Sequence, residues 1–175
     1  MNTINQFFTT IEPAQLTDNF IKTIGDEWML ITAGTPEKFN TMTASWGAMG
    51  VLWNKPIAIC FIRPTRHTYA FANESKVFTL SFFHVTERKI LNYCGTKSGR
   101  DVNKIAETGL RPLLTGYKGI SFEQSRLCIE CRKIYADDIK PESFLLPGIE
   151  TKNYPKKDYH RFFIGEILDC YVPVN

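Results

Sequence analysis

The stretch FNTMTASWG, residues Phe39–Gly47, alternates three hydroxyls (Thr41, Thr43, Ser45) with three larger side chains (Met42, Ala44, Trp46). A period of two is that of a β-strand, so the hydroxyls share one face and the larger side chains turn to the other. Such a face is either the solvated side of an ordinary strand or a wall aimed at a ligand. Further strand-like runs lie on both sides of it: Trp28–Ala33 before, and Pro56–Ile62, Val77–Phe83, Arg126–Ala136 and His160–Val172 after. All are short, rich in β-branched and aromatic residues, and bounded by Gly, Pro or Asn.

Helical spacing is rarer. It occurs in TRHTYAFANES after a strand and a proline, in TERKILNY, and in GRDVNKIAETGL, where Asp101 sits near the start and Gly109 where a helix should stop. Leu145–Asp158, with two prolines and three lysines, reads as a long surface loop. Many strands with a few short helices, and no regular βαβ alternation, predict a mainly β fold, a β-barrel or an α+β domain. The chain reads as a single domain over residues 1–175, with neither repeat nor low-complexity segment.

A hydrophobic fraction of 43% and a charged fraction of 22% are those of an ordinary globular protein. The 13% aromatic share suits a β-rich core or a planar ligand. A net charge of +3, with no dense run of Lys or Arg, argues against nucleic acid as a partner. No apolar run is long enough to cross a bilayer, and the opening MNTINQFFTTIEPAQL does not resemble a signal peptide. Five cysteines, an odd number, then read as reduced thiols in a cytoplasmic protein. Cys128 and Cys131 form a C-x-x-C, but inside a strand-like run their side chains face opposite ways, and no second Cys/His pair completes a metal set. No metal site is expected.

Neither a G-x-G-x-x-G after a strand nor a G-x-x-x-x-G-K-[ST] occurs, so a nucleotide cofactor would need another device. FIRPTRHTYAF (Phe61–Phe71) offers one. A buried strand ends at Ile62, Arg63 and Pro64 lead into a helix with Thr65 as the expected N-cap, and Arg66 and Thr68 follow. Two guanidiniums beside hydroxyls suit a phosphate, although arginines at a helix start are also common on surfaces. CGTKSGRDVNK (Cys94–Lys104) repeats the theme with small residues, a hydroxyl and cations, or else forms a flexible loop capped by Asp101.

Taken together, the N-x-M-T-A-S-W strand, the R-P-x-R-x-T turn, the S-G-R-D segment, IECRK and the late YHRFFIGEI resemble the flavin reductase-like, FMN-binding split-barrel family, in its flavoredoxin type, over almost the whole chain. The resemblance implies an antiparallel split barrel with FMN bound non-covalently near the interface of a homodimer. It implies that Asn40, Thr41, Met42, Thr43, Ala44 and Ser45 line the flavin ring through hydroxyls and backbone amides. Arg63, Pro64, Arg66 and Thr68 would serve the phosphate and ribityl chain, and Lys97, Ser98, Gly99 and Arg100 would close over the cofactor, with Asp101 fixing their loop. Trp46 and Trp53 would pack against the ring, the dimer partner or the core. His160, just before the IGE strand, is the candidate catalytic group on the substrate side, with Asp158 or Glu166 to orient it, whereas His67 and His84 read as surface or helix-start residues.

The activity implied is an oxidoreductase passing electrons from NADH or NADPH through FMN to a flavin, a metal or a protein acceptor. An electron carrier reduced by a partner protein, or a non-redox FMN-binding module, are the alternatives.

Overall fold

The computed structural model describes residues 1–174. Its strands are β1 (Asn2–Thr3), β2 (Phe8–Ile11), β3 (Met29–Gly34), β4 (Phe39–Ala44), β5 (Gly47–Leu52) and β6 (Lys55–Ile62). After them come β7 (Val77–Phe82), β8 (Pro112–Leu114), β9 (Ile120–Phe122), β10 (Leu127–Asp138) and β11 (Arg161–Pro173). The short helices between them are α1 (Phe20–Lys22), α2 (Thr68–Glu74), α3 (Arg88–Thr96), α4 (Lys104–Thr108) and α5 (Ile149–Asn153). The fold is mainly β, as the sequence predicts. No helix among the described residues is long and apolar enough to cross a membrane.

The main sheet has eight strands in the order β4-β3-β7-β10-β11-β6-β5, with β2 also pairing β11. Its strands pair antiparallel throughout. β4 and β5 stand at opposite ends of that order, yet only Ser45 and Trp46 separate them in the chain. Two linking residues reach roughly 10 Å at most. The sheet must therefore curl until its first and last strands nearly meet. Among the described residues β4 pairs only with β3, and β5 with β6, so the barrel stays split at that seam. Register shifts between Glu130 and Cys131 and between Lys133 and Tyr135 on the β10–β11 ladder help bend the sheet. The quoted stretch thus contains the closure of the barrel: its strand ends at Ala44, two residues earlier than the alternation suggests, and Ser45–Trp46 cross the seam.

Alternation along β3 and β4 sorts side chains between two cores. Met29, Ile31, Met42 and Ala44 enter the barrel interior beside Leu80 and Phe82. Leu30 enters a second cluster with Ile90, Leu91 and Cys94 from α3. The hydroxyl face of β4 is therefore covered by a helix and is not open.

Cys131 belongs to the interior cluster and Cys128 to a third cluster with Ile4, Phe8, Leu113 and Tyr171, so the C-x-x-C faces two ways as its strand setting requires. Burial pushes the Cys128 thiol up to about 12 and Cys131 well above its usual value. Between them Glu130 is fully buried, and its carboxylate accepts from the Thr115 hydroxyl, the Gly119 amide at 2.9 Å, the Tyr117 amide at 3.2 Å and the Tyr171 hydroxyl at 3.0 Å. Such complete pairing is what lets a carboxylate stay inside a barrel wall.

Candidate functional site

The free edge of β4 comes first. Thr35 and Lys38 exchange both amide hydrogen bonds across the β3–β4 turn, at 2.9 and 3.0 Å. Antiparallel alternation then turns the amides and carbonyls of Asn40, Met42 and Ala44 toward β3, and those of Thr41 and Thr43 toward the open seam. The Thr41 carbonyl agrees, since it accepts from Lys104 Nζ at 2.8 Å. Backbone groups, rather than hydroxyls, are what β4 offers outward.

The hydroxyls are spent inside the fold. Thr41 Oγ1 lies 2.9 Å from Thr32 Oγ1, and Thr43 Oγ1 donates to the Leu91 carbonyl of α3. Thr68 is fully buried and its hydroxyl accepts from Asn40 Nδ2 at 2.7 Å. The hydroxyls of Thr41 and Thr43 that the sequence reading aims at a ligand thus have partners within the protein. A strand whose two faces are both buried has only its edge left.

A cleft of about 240 Å³ opens at that edge, lined by Met42–Trp46 of the seam, Phe61 and Arg63 at the end of β6, Arg66, and His160. Arg66 reaches it from the turn before α2 and also donates to the Gly95 carbonyl at 2.8 Å, which leaves further guanidinium donors. Burial and the neighbouring Arg63 lower its pKa. Thr65 is not a cap: the helix begins at Thr68, three residues later, and Thr65 instead presents its carbonyl to Arg100 at 3.1 Å. Pro64 is exposed in the same turn.

Arg63 is more committed than the sequence suggests. It pairs with Asp158 at 2.7 Å, donates to the Asn153 carbonyl at 2.8 Å, and lies 5.1 Å from the centre of the Tyr154 ring. The surface loop expected over residues 145–158 is thus a strap. It contains α5, and Tyr154, only 5% exposed, is folded under it.

His160 is 8% exposed, with Nδ1 3.0 Å from the Tyr154 hydroxyl and its ring 4.9 Å from that of Trp46. Burial, reinforced by Arg63, lowers its pKa to about 4 against the opposing pull of Asp158, so the ring is neutral at physiological pH. Of the two carboxylates expected to orient it, Asp158 pairs with Arg63, and Glu166 pairs with Lys55 at 2.6 Å and with Arg132 at 2.6 Å. The contact to His160 is made by Tyr154, which sequence reasoning missed because a tyrosine in a Pro- and Lys-rich loop carries no local sign of burial.

A second cleft, about 600 Å³, adjoins the other half of β4 and is lined by Lys38–Thr41, Gly99–Asp101 and Lys104. The predicted loop lines this second cleft and is tied to the arginine turn by Arg100, which donates to the Thr65 carbonyl. Gly99 packs so tightly that an added Cβ would lie 2.0 Å from Asn40 Oδ1. Lys97 and Arg100 are exposed, and Ser98 accepts from the Arg100 amide at 3.2 Å. Asp101 is exposed, and the cap of α4 is Asn103, whose side chain accepts from the amides of Ile105 and Ala106.

Lys104 is the other residue the sequence reading missed. The residue is 5% exposed, its ammonium donates to the Thr41 and Cys94 carbonyls, each at 2.8 Å, and burial lowers its pKa to about 8. A signal was present, because a lysine in the first turn of a helix opposes the helix dipole and needs another reason to be there.

Trp46 and Trp53 lie outside the core: Trp46 is 43% exposed at the cleft, and Trp53 is 60% exposed and packs edge-on against Tyr135. His67 precedes α2 without capping it, and His84 is exposed.

An antiparallel barrel left open at one seam, with an aromatic and cationic cleft at the split, defines the class of this protein. Residues 22–175 match the flavin reductase like domain, and the chain belongs to that family. Three solved structures have a similar fold. Flavoredoxin from Methanosarcina acetivorans has a TM-score of 0.65 at 22% identity, covering 83% of this chain and 68% of that one. The FMN-binding domain of a flavin reductases-like enzyme from Shewanella baltica has a TM-score of 0.67 at 17% identity, covering 94% and 76%. The NADH:FAD oxidoreductase of Streptomyces globisporus has a TM-score of 0.64 at 15% identity, covering 91% and 87%. No curated protein matches the chain.

Proposed function

We propose that the protein binds FMN along the open edge of β4 and works as an oxidoreductase, taking electrons from NADH or NADPH and passing them to a flavin, a metal or a protein acceptor. The observation that carries this reading is one convergence. Outward-facing backbone of β4, the Arg66 guanidinium, Trp46 and a neutral His160 meet in a single cleft at the barrel seam. These are groups that a flat ring bearing carbonyls and a phosphate requires. Arg66 would hold the phosphate with its remaining donors, while the outward-facing Thr43 backbone and the Phe61 ring would receive the flavin ring. Gly99, Arg100 and Asp101, in the adjoining cleft, would approach the same ligand from the far end of β4.

Bound FMN supplies hydride and one-electron chemistry itself. The residues of the chain need only position it, exclude water from one side, and place donors or positive charge where the reduced ring gathers negative charge. His160 is the residue assigned to the substrate side.

The cleft is smaller than the 300–1,000 Å³ usual for a small-molecule site. Trp46 is exposed at the cleft, and Val51 and Trp53 are exposed toward the other end of β5. Both features support a homodimer in which a second copy covers the remainder of the ligand. The test is direct. Titration of the protein with FMN should perturb the flavin's visible absorbance, and rapid mixing with NADH or NADPH under anaerobic conditions should bleach it. Binding without reduction by either nucleotide would sink the reductase reading and leave a carrier reduced by a partner protein.

A further inference from the structure

We propose that Tyr154 is a positioning residue that fixes His160 in the tautomer protonated on Nε2, so that a neutral N–H donor faces the cleft and the group received there is an oxygen acceptor, a carbonyl or a carboxamide. This rests on the reading of the cleft as the flavin and nicotinamide site and deepens it.

The Tyr154 hydroxyl lies 3.0 Å from Nδ1 of His160, with the two rings edge to face at 77°. A phenol is a far stronger acid than the N–H of neutral imidazole, and the imidazole lone pair is a far better acceptor than a phenol oxygen. Donation therefore runs from tyrosine to Nδ1, and the ring proton is left on Nε2, the nitrogen available to the cleft that His160 lines. Trp46 packs against the same ring, 4.9 Å from it centre to centre.

The charged groups around the pair keep the imidazole neutral. Arg63 and Arg66 oppose a second proton, and Asp158, which favours one, is held by Arg63 at 2.7 Å. Tyr154 is fixed in turn by its amide, which donates to the Glu150 carbonyl at 2.7 Å, and by the Arg63 guanidinium against its ring. The strap thus holds, besides Arg63, the tyrosine that sets this hydrogen atom.

The tautomer can be read in ¹⁵N-labelled, ligand-free protein at pH 7 from two-bond proton–nitrogen correlations, with His160→Gln assigning the signals. His160 should show a protonated Nε2 and an unprotonated, hydrogen-bonded Nδ1. Tyr154→Phe keeps the ring packing and should raise the Nδ1-protonated fraction about tenfold relative to the other tautomer. A wild-type ring protonated on Nδ1, or a tautomer ratio that Tyr154→Phe leaves unchanged, overturns the assignment. Should Tyr154→Phe fail to fold, the wild-type spectrum alone decides. FMN titration of the same samples separates the two readings: an unbound flavin overturns the flavin site and leaves the tautomer standing, whereas the wrong tautomer with flavin bound overturns only the role of Tyr154.

Discussion

Arg66 donates to the carbonyl of Gly95 at 2.8 Å, joining the turn after β6 to the end of α3. The neighbouring Cys94 carbonyl is taken in the same way by the Lys104 ammonium, and the Thr43 hydroxyl adds a bond to the Leu91 carbonyl one turn earlier. Carbonyls in the last turn of a helix lack intrahelical partners. Arg66 and Lys104 supply donors here and Thr43 one turn earlier, so the geometry of the candidate site and the anchoring of α3 are one arrangement.

Arg66→Ala should therefore separate binding from stability only in degree. A charge-assisted hydrogen bond to phosphate is worth about 1.5–3 kcal/mol, so FMN affinity should fall roughly tenfold to a hundredfold. Quenching of flavin fluorescence measures it, and an unchanged affinity would remove the phosphate from this turn.

Thr43→Val should behave in the opposite way. Its hydroxyl serves the Leu91 carbonyl, so its removal should lower stability by about 1 kcal/mol, or roughly 2–4 °C in Tm. FMN affinity should stay within about twofold. A large loss of affinity at unchanged Tm would show that the hydroxyl faces the ligand after all.

Glu130→Gln places an amide where a carboxylate accepts from Thr115, Tyr117, Gly119 and Tyr171. At least one new N–H must then confront another donor in a fully buried place. The expected loss is about 3 kcal/mol, or roughly 6–12 °C in Tm, visible in a thermal melt.

His160 makes stability depend on pH. Its pKa is about 4 in the folded protein and 6.5 ordinarily, so between those values the unfolded chain binds more protons. Stability should rise with pH across that window and fall as the solution is acidified from 6.5 toward 4, by up to about 3 kcal/mol from this group. Denaturant midpoints at pH 7 and pH 4.5 should differ less for His160→Gln than for the wild type.

Much of the fold is legible in residue order because it is local. Alternation in Phe39–Ala44, the apolar run of Pro56–Ile62 and the left-handed Gly109 after α4 express backbone geometry that neighbouring residues determine on their own. The arginine turn and the S-G-R-D segment are likewise visible as cationic junctions, and with the alternating strand they carry the resemblance to the family. Even the opposed faces of Cys128 and Cys131 follow from spacing alone.

What the hydroxyls of β4 meet does not. A period of two says that Thr41 and Thr43 share a face, but whether that face meets water, a ligand or a helix depends on where α3 packs, some fifty residues further along the chain. The same holds for Tyr154, which reads as part of a loop until Arg63, from the other side of the seam, draws the strap over His160. Sequence alone determined most strands of the main sheet, their faces and the family, though not β5 at the seam; tertiary structure decided that β4 offers its edge, because only packing between distant segments determines which polar groups are satisfied within the fold and which are left for something else.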